Sequence, residues 1–329
     1  MLLYKVVIET TGHFVTPIKG DTLFGHFCWS YRESFGESRL EHDILNGYTQ
    51  SQPKIIFSDA YAHGYFYLPK YAYDLNFELS YDATQRKQIK GRKYLSQDIV
   101  LNKDVSLKNI WQDTIQNKEY SALNAQDAKT PSIIDFVQTH NTINRNIGTT
   151  SSGIFAPYNV NNFTYKSNKD ETVKLDIFVM IDEVLANNCG IDEISKLIAN
   201  IGLQGFGADA SIGKGKFNVD SISEIQVKNK TAKSGMTLAP ALVSENDNVD
   251  KVYYDTFTRF GRHGNIMAHS KQVFKLPITL MNSNAFVVFR DHVPQYIGNG
   301  FINSPKLGED KDHNGYIQAY SMIIPLNLE

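Results

Sequence analysis

Five glycines fall within fourteen residues, at Gly202, Gly205, Gly207, Gly213 and Gly215, with Lys214 and Lys216 beside the last two. Such a run lets a backbone turn at positive φ and lie flat against another molecule, because no Cβ stands between them. Successive N–H groups in such a loop form a concavity suited to phosphate, and the two lysines add charge. Gly213-Lys214-Gly215 does not fit G-x-x-x-x-G-K-[ST], and the order helix, loop, strand reverses that of a dinucleotide fingerprint. The chemistry expected is contact with a polynucleotide backbone through Gly205, Gly207, Ser211, Gly213, Lys214, Gly215 and Lys216.

Other groups fit the same chemistry, each with a plainer reading beside it. Lys19-Gly20-Asp21-Thr22 stands where a helix begins, so free N–H groups and the helix dipole would favour a phosphate near Lys19, Gly20 and Thr22. Equally, Asp21 or Thr22 is an ordinary N-cap, and Asp21 is read as a cap, not a catalytic acid. His140, Asn141, Asn144, Arg145, Asn146, Thr149 and Thr150 lie in a stretch without the apolar period of a packed element. Arginine forks phosphate or a base edge, asparagine reads base edges, and threonine hydroxyls bind phosphate oxygens. A solvated, asparagine-rich turn is the alternative. Arg259 and Arg262, in Arg259-Phe260-Gly261-Arg262-His263-Gly264, suggest a second RNA-contact loop. The run 86–93 holds five positive charges in eight residues and suits phosphates, an acidic partner or plain solvent.

Enzymatic constellations are thin. His42-Asp43 lacks the further ligands of a two-metal site, and Asp182-Glu183 and Asp192-Glu193 flank a helix start that favours acids. There is no G-x-S-x-G, H-E-x-x-H or paired-cysteine motif, and no cofactor is implied. Cys28 and Cys189 offer neither a disulfide framework nor metal spacing, which fits a reducing cytoplasm. Met1 leads straight into a strand pattern, and no apolar segment approaches a membrane span. The net charge of −2 over 329 residues confines any nucleic-acid surface to a local patch.

The elements that must carry these residues follow from periodicity. Leu2–Thr10 alternates as a half-buried strand, and Leu23, Phe24, Phe27, Cys28, Tyr31 and Phe35 recur at helical spacing up to a stop at Gly36. Ile55–Phe57 reads as a buried strand, followed by Tyr65–Pro69, then 70–131 as a polar stretch of weak pattern, and Val173–Ile181 as a strand. Ile191, Ile194, Leu197, Ile198 and Ile201 make an amphipathic helix, and Lys216–Val227 another strand. That order is βαββαβ, a ferredoxin-like arrangement. Strand-like runs follow at 253–260, 273–280, 285–289 and 316–326. The class is therefore α+β, with two ferredoxin-like (RRM-like) lobes: 1–228, with a large insertion at about 70–170, and a degenerate, strand-rich 229–329.

The glycine loop resembles a feature of the RAMP proteins, the repeat-associated RNA binders of CRISPR systems. Two further segments share the resemblance: Thr16-Pro17-Ile18-Lys19-Gly20-Asp21-Thr22-Leu23-Phe24-Gly25-His26-Phe27-Cys28-Trp29, and His140–Thr150 followed by Gly153-Ile154-Phe155. Together they are similar to the type III-A (Csm) effector subunit that grips the 5′ tag of the guide RNA. The similarity covers about the first 220 residues. It implies a non-catalytic subunit whose partners are the crRNA 5′ tag, the large polymerase-like signature subunit and a backbone RAMP subunit, with no membrane. Two alternatives stay open. One is a RAMP-type ribonuclease using His13 or His26 as acid/base, although those enzymes carry the glycine loop near the C-terminus and about 110 residues follow Gly215 here. The other is a purely architectural subunit of another type III complex.

Overall fold

The computed structural model describes residues 1–73, 91–116, 122–124, 130–167, 172–228, 231–264, 273–302 and 315–329. The class is α+β with antiparallel sheets. The first sheet orders its strands β2 (Ile55–Ala62), β7 (Lys174–Ile181), β1 (Leu2–Thr10) and β8 (Phe217–Glu224). Strand β1 lies in the middle, running from Leu2 opposite Ile181 to Glu9 opposite Lys174. Its alternation aims Tyr4, Val6 and Ile8 at the helical layer, where all three are buried, as a period-2 strand with one covered face requires.

Two helices supply that layer: α1 (Gly20–Phe35) and α2 (Ile191–Gln204). Phe24, Phe27, Ile194, Leu197 and Ile198 are buried beneath them, Phe27 packs on Phe57, and Ser30 Oγ donates to Leu197 O across the helix pair. Gly36 ends α1 at φ +88°, the conformation a C-terminal glycine permits. The N-terminus corrects the sequence reading: Lys19 is the N-cap, and no side chain caps the helix.

After β2 come a small hairpin, β3 (Tyr65–Tyr67) with β4 (Tyr94–Ser96), and helices at Gln97–Asn102 and Leu107–Gln116. A long two-stranded ribbon, β5 (Ser132–His140) and β6 (Tyr158–Lys166), follows them. The second sheet orders β10 (Val249–Tyr253), β13 (Phe286–Phe289), β9 (Ser234–Thr237), β15 (Tyr316–Pro325) and β14 (Tyr296–Ile302). A second ribbon, β11 (Thr256–Arg259) with β12 (Ile278–Met281), extends from it. The run 253–260 is thus broken at Tyr254 and Asp255, where β10 ends and the ribbon begins. No helix of the described residues is long and apolar enough to cross a membrane.

One hydrophobic core runs through both sheets, joining Phe24 and Phe57 to Leu238, Phe286, Tyr320 and Met322. Phe24 stacks on Tyr48 at 4.5 Å, and Tyr48 meets Tyr320 edge-on. Gln318 of β15, fully buried, works as a substitute strand segment: its Oε1 accepts from Phe57 N at 2.9 Å and its Nε2 donates to Phe57 O at 2.7 Å. A buried amide satisfied on both sides resists separation, since opening the joint strands four polar groups.

Candidate nucleic-acid interface

The N-terminus of α1 is already occupied. Asp59 Oδ1 accepts from Gly20 N at 3.0 Å, so a carboxylate of the chain sits where a phosphate was expected. Lys19 Nζ donates to Asp59 Oδ2 at 2.8 Å and to Asn282 Oδ1 at 3.0 Å, and Ser283 Oγ adds 2.7 Å to the same carboxylate. A Cβ on Gly20 would stand 2.2 Å from Phe57 O, so glycine there serves packing of helix on strand. Lys19 and Gly20 are thereby parts of the joint between the two sheets, and Thr22 lies in the same helix turn.

Asp21 also departs from its expected role. Its carboxylate is buried and takes a forked pair from Arg259, Nε to Oδ2 at 2.5 Å and Nη2 to Oδ1 at 2.7 Å. Arg259 is therefore spent inside the molecule. The ring of Phe257 lies 4.7 Å from Lys19 Nζ and 4.8 Å from the Arg259 guanidinium. Further along, Gly264 lies against the Trp29 indole, so the chain from Arg259 to Gly264 follows α1 from Asp21 to Trp29. Arg262 is exposed beside Phe274, 5.0 Å from its ring.

The glycine loop is built for its own packing. Beta carbons on Gly205, Gly207 and Gly215 would come within 2.5 Å of Lys214 O, within 2.5 Å of Thr16 Cβ and within 2.1 Å of Phe206 O. Its N–H groups are largely consumed: Phe206 N bonds Gly215 O, Gly207 N bonds His26 Nε2, Ala208 N bonds Thr16 Oγ1 and Gly215 N bonds His13 O. The phosphate-cradling concavity expected from the spacing is thus not formed, because those donors point back into the fold. Ser211 and Gly213 face outward, and a Cβ on Gly213 would meet nothing within 4 Å. His26 stacks obliquely on Phe206 at 5.0 Å, and burial lowers its pKa to about 4.

Both lysines of the loop act as struts. Lys214 is buried, and its Nζ donates to Gln138 Oε1 of the β5–β6 ribbon at 2.6 Å. Lys216 Nζ is bound to Leu203 O at the end of α2. His13 meets Phe136 of the ribbon edge-on at 4.9 Å, and Phe14 forms a backbone bridge with Phe163. The loop and the ribbon are therefore one assembly, which the sequence did not suggest. Gln138 and Phe136 were missed, and the ribbon itself was hidden in the insertion, because Ile133-Ile134 breaks its alternation.

Beyond that joint the ribbon projects as an arm. At its far end His140 stacks on Tyr158 at 5.5 Å. A tight turn closes with Asn144 N on Thr149 O and Gly148 N on Asn144 O. The Asn144 side chain accepts from Asn146 N, so Asn144 shapes the turn instead of reaching outward, as asparagine does in such turns. Asn141, Arg145 and Thr149 are exposed and Thr150 is half-exposed. Arg86–Lys90 of the basic run lie outside the described residues.

No protein-family model and no curated protein matches the sequence. Solved structures do match over its whole length. A chain of the Csm1-Csm4 cassette in complex with pppApA aligns with a TM-score of 0.57 at 14% identity, covering 99% of both chains. A chain of the cassette in complex with cA4 gives 0.56 at 13%, again over 99% of both. A chain of the Csm3-Csm4 subcomplex in the type III-A CRISPR-Cas interference complex gives 0.55 at 15%, covering 99% of this chain and 100% of that one. Csm4 is the component these assemblies have in common, and the fold of this chain, end to end, is one found in type III-A Csm assemblies, in line with the RAMP resemblance of its three segments.

Proposed function

We propose that the chain is a non-catalytic RNA-holding subunit of a cytoplasmic type III-A CRISPR effector complex. In this reading its first lobe is a ferredoxin-like βαββαβ unit and its second a strand-rich derivative. It holds the 5′ tag of the crRNA and joins the large polymerase-like signature subunit to a backbone RAMP subunit. The observation that carries the reading is the full-length likeness in fold to chains of two assemblies that share Csm4. The geometry adds a physical rationale. A preformed joint between the sheets, an arm braced by the glycine loop, and Arg145 and Arg262 at exposed positions suit single-stranded RNA, which polar and guanidinium groups grip at loops and ends.

A nuclease role is disfavoured by the state of His26. In an acid/base histidine a ring nitrogen faces the substrate; in His26 the Nε2 accepts from Gly207 N, and burial keeps the ring neutral, so that it holds no imidazolium proton to give to a leaving group. The test is direct. Protein purified from its host should carry crRNA with intact tags, and the pure chain should leave repeat RNA uncut. Arg145→Lys keeps the charge but loses the planar fork. It should weaken binding of tagged RNA by about 1–3 kcal/mol and narrow the difference from scrambled-tag RNA at two salt concentrations. Equal binding of both RNAs by wild type and variant would refute the reading.

A further inference from the structure

At the root of the arm the structure holds a pocket of about 250 Å³. Ala60 and Ala62 of β2, Tyr67, Tyr94, Tyr165 and Ile133 are among the residues that line it. Because side chains alternate along a strand, Ile133 and its partner Tyr165 lie on the face of the ribbon opposite Phe136 and Gln138, which engage the glycine loop. The pocket is therefore separate from that joint.

Several features narrow what it accepts. Its volume is below the usual range of pockets for drug-sized molecules, so it suits one ring system or one side chain. The Tyr67 and Tyr94 rings lie 5.4 Å apart, tilted by 35°. Tyr165 is held edge-on by Phe14 at 5.7 Å and Phe163 at 5.6 Å. Among the described residues no charged side chain lines it, which disfavours a phosphate and gives a cationic side chain no carboxylate. Burial lifts the Tyr67 hydroxyl to about 12 and raises that of Tyr165 too. Both hydroxyls therefore stay protonated, able to donate and accept at neutral pH.

We propose that this pocket receives a single nucleobase, turned out of the RNA strand held along the arm and stacked among Tyr67, Tyr94 and Tyr165. The proposal rests on the RNA-holding reading above. Stacking on aromatic side chains is how splayed bases of single-stranded RNA are held, and it requires no charge. The alanines of β2 leave the slot that a larger residue would fill.

The test uses the full chain and guide RNAs carrying 4-thiouridine at one position each, irradiated and read by mass spectrometry of the linked peptides. One position should link to Tyr67, Tyr94 or Tyr165. Ala62→Leu, which adds bulk to the lining, and Tyr94→Leu, which takes one ring out of it, should each abolish that link and weaken binding about ten-fold in protein that still unfolds cooperatively. If Ala62→Leu fails to fold, Tyr94→Leu alone decides. Arg145-sensitive RNA binding without any such link, and with wild-type affinity in a folded pocket variant, overturns the pocket and leaves the RNA reading standing. Absence of RNA binding by the wild-type chain overturns both. Loss of a co-purifying subunit from the pocket variants at unchanged RNA affinity also overturns the proposal, since a protein side chain would then be the occupant.

Discussion

Arg259→Ala separates a structural role from an RNA-binding role at one residue. Both Asp21 oxygens depend on Arg259, and the Asp21 side chain is only 3% exposed while that of Arg259 is 18% exposed. Once the guanidinium is gone, the other side-chain hydrogen bond to this carboxylate among the described residues is from Thr22 Oγ1 at 3.4 Å, too long for a strong bond. Breaking a buried ion pair from one side costs about 3–5 kcal/mol, because the survivor stays charged in a poorly solvated place. Asp21→Asn together with Arg259→Met removes the stranded charge and should recover most of that loss. Urea unfolding of the wild type, Asp21→Asn, Arg259→Met and the double variant closes the cycle. Tagged-RNA affinity measured on the same four proteins should be nearly unchanged in the folded double variant. A stability loss under about 0.5 kcal/mol for Arg259→Ala, typical of surface changes, with a ten-fold fall in RNA affinity, would refute the argument and return Arg259 to the RNA.

The glycine loop makes a second contrast. Gly215→Ala puts a Cβ 2.1 Å from Phe206 O at φ +71° and should cost about 3 kcal/mol or more from overpacking plus strain. Gly213→Ala, at φ +91° in open space, should cost about 1–2 kcal/mol, and equal losses in thermal melts would contradict the packing account. His26 gives a pH dependence. With its pKa lowered from 6.5 to about 4, the unfolded chain binds the extra proton between those values, so stability is full above pH 6.5 and falls as pH drops toward 4. Between pH 7 and 5 the loss is about 2 kcal/mol. His26→Gln should remove that slope in urea titrations at the two pH values, and a slope unchanged by the substitution would show that other groups carry it.

Sequence alone determined the elements whose pattern is local. The alternation of β1 and β7, the apolar stripe of α1, the isoleucine-rich face of α2 and the stop at Gly36 need only near neighbours to be read, and each is found at the expected place. The exposure of Asn141 and Arg145 followed equally from their lack of an apolar period. Tertiary structure alone decided what the polar residues do. Asp21, Lys19 and Arg259 carry the types of residue that bind RNA or cap helices, yet their partners, Arg259, Asp59 and Asp21, lie 238, 40 and 238 residues away. Glycine spacing shows that backbone must approach something closely. It does not say whether that is a phosphate or, as at Gly207 and Gly215, Thr16 and Phe206 of the same chain. The arm and its tyrosine pocket escaped for the same reason. Strand β5 is exposed along nearly its whole length and has no buried side to impose a period on its sequence, and a cavity exists only once β2, β3, β4 and β6 have been brought together by the fold.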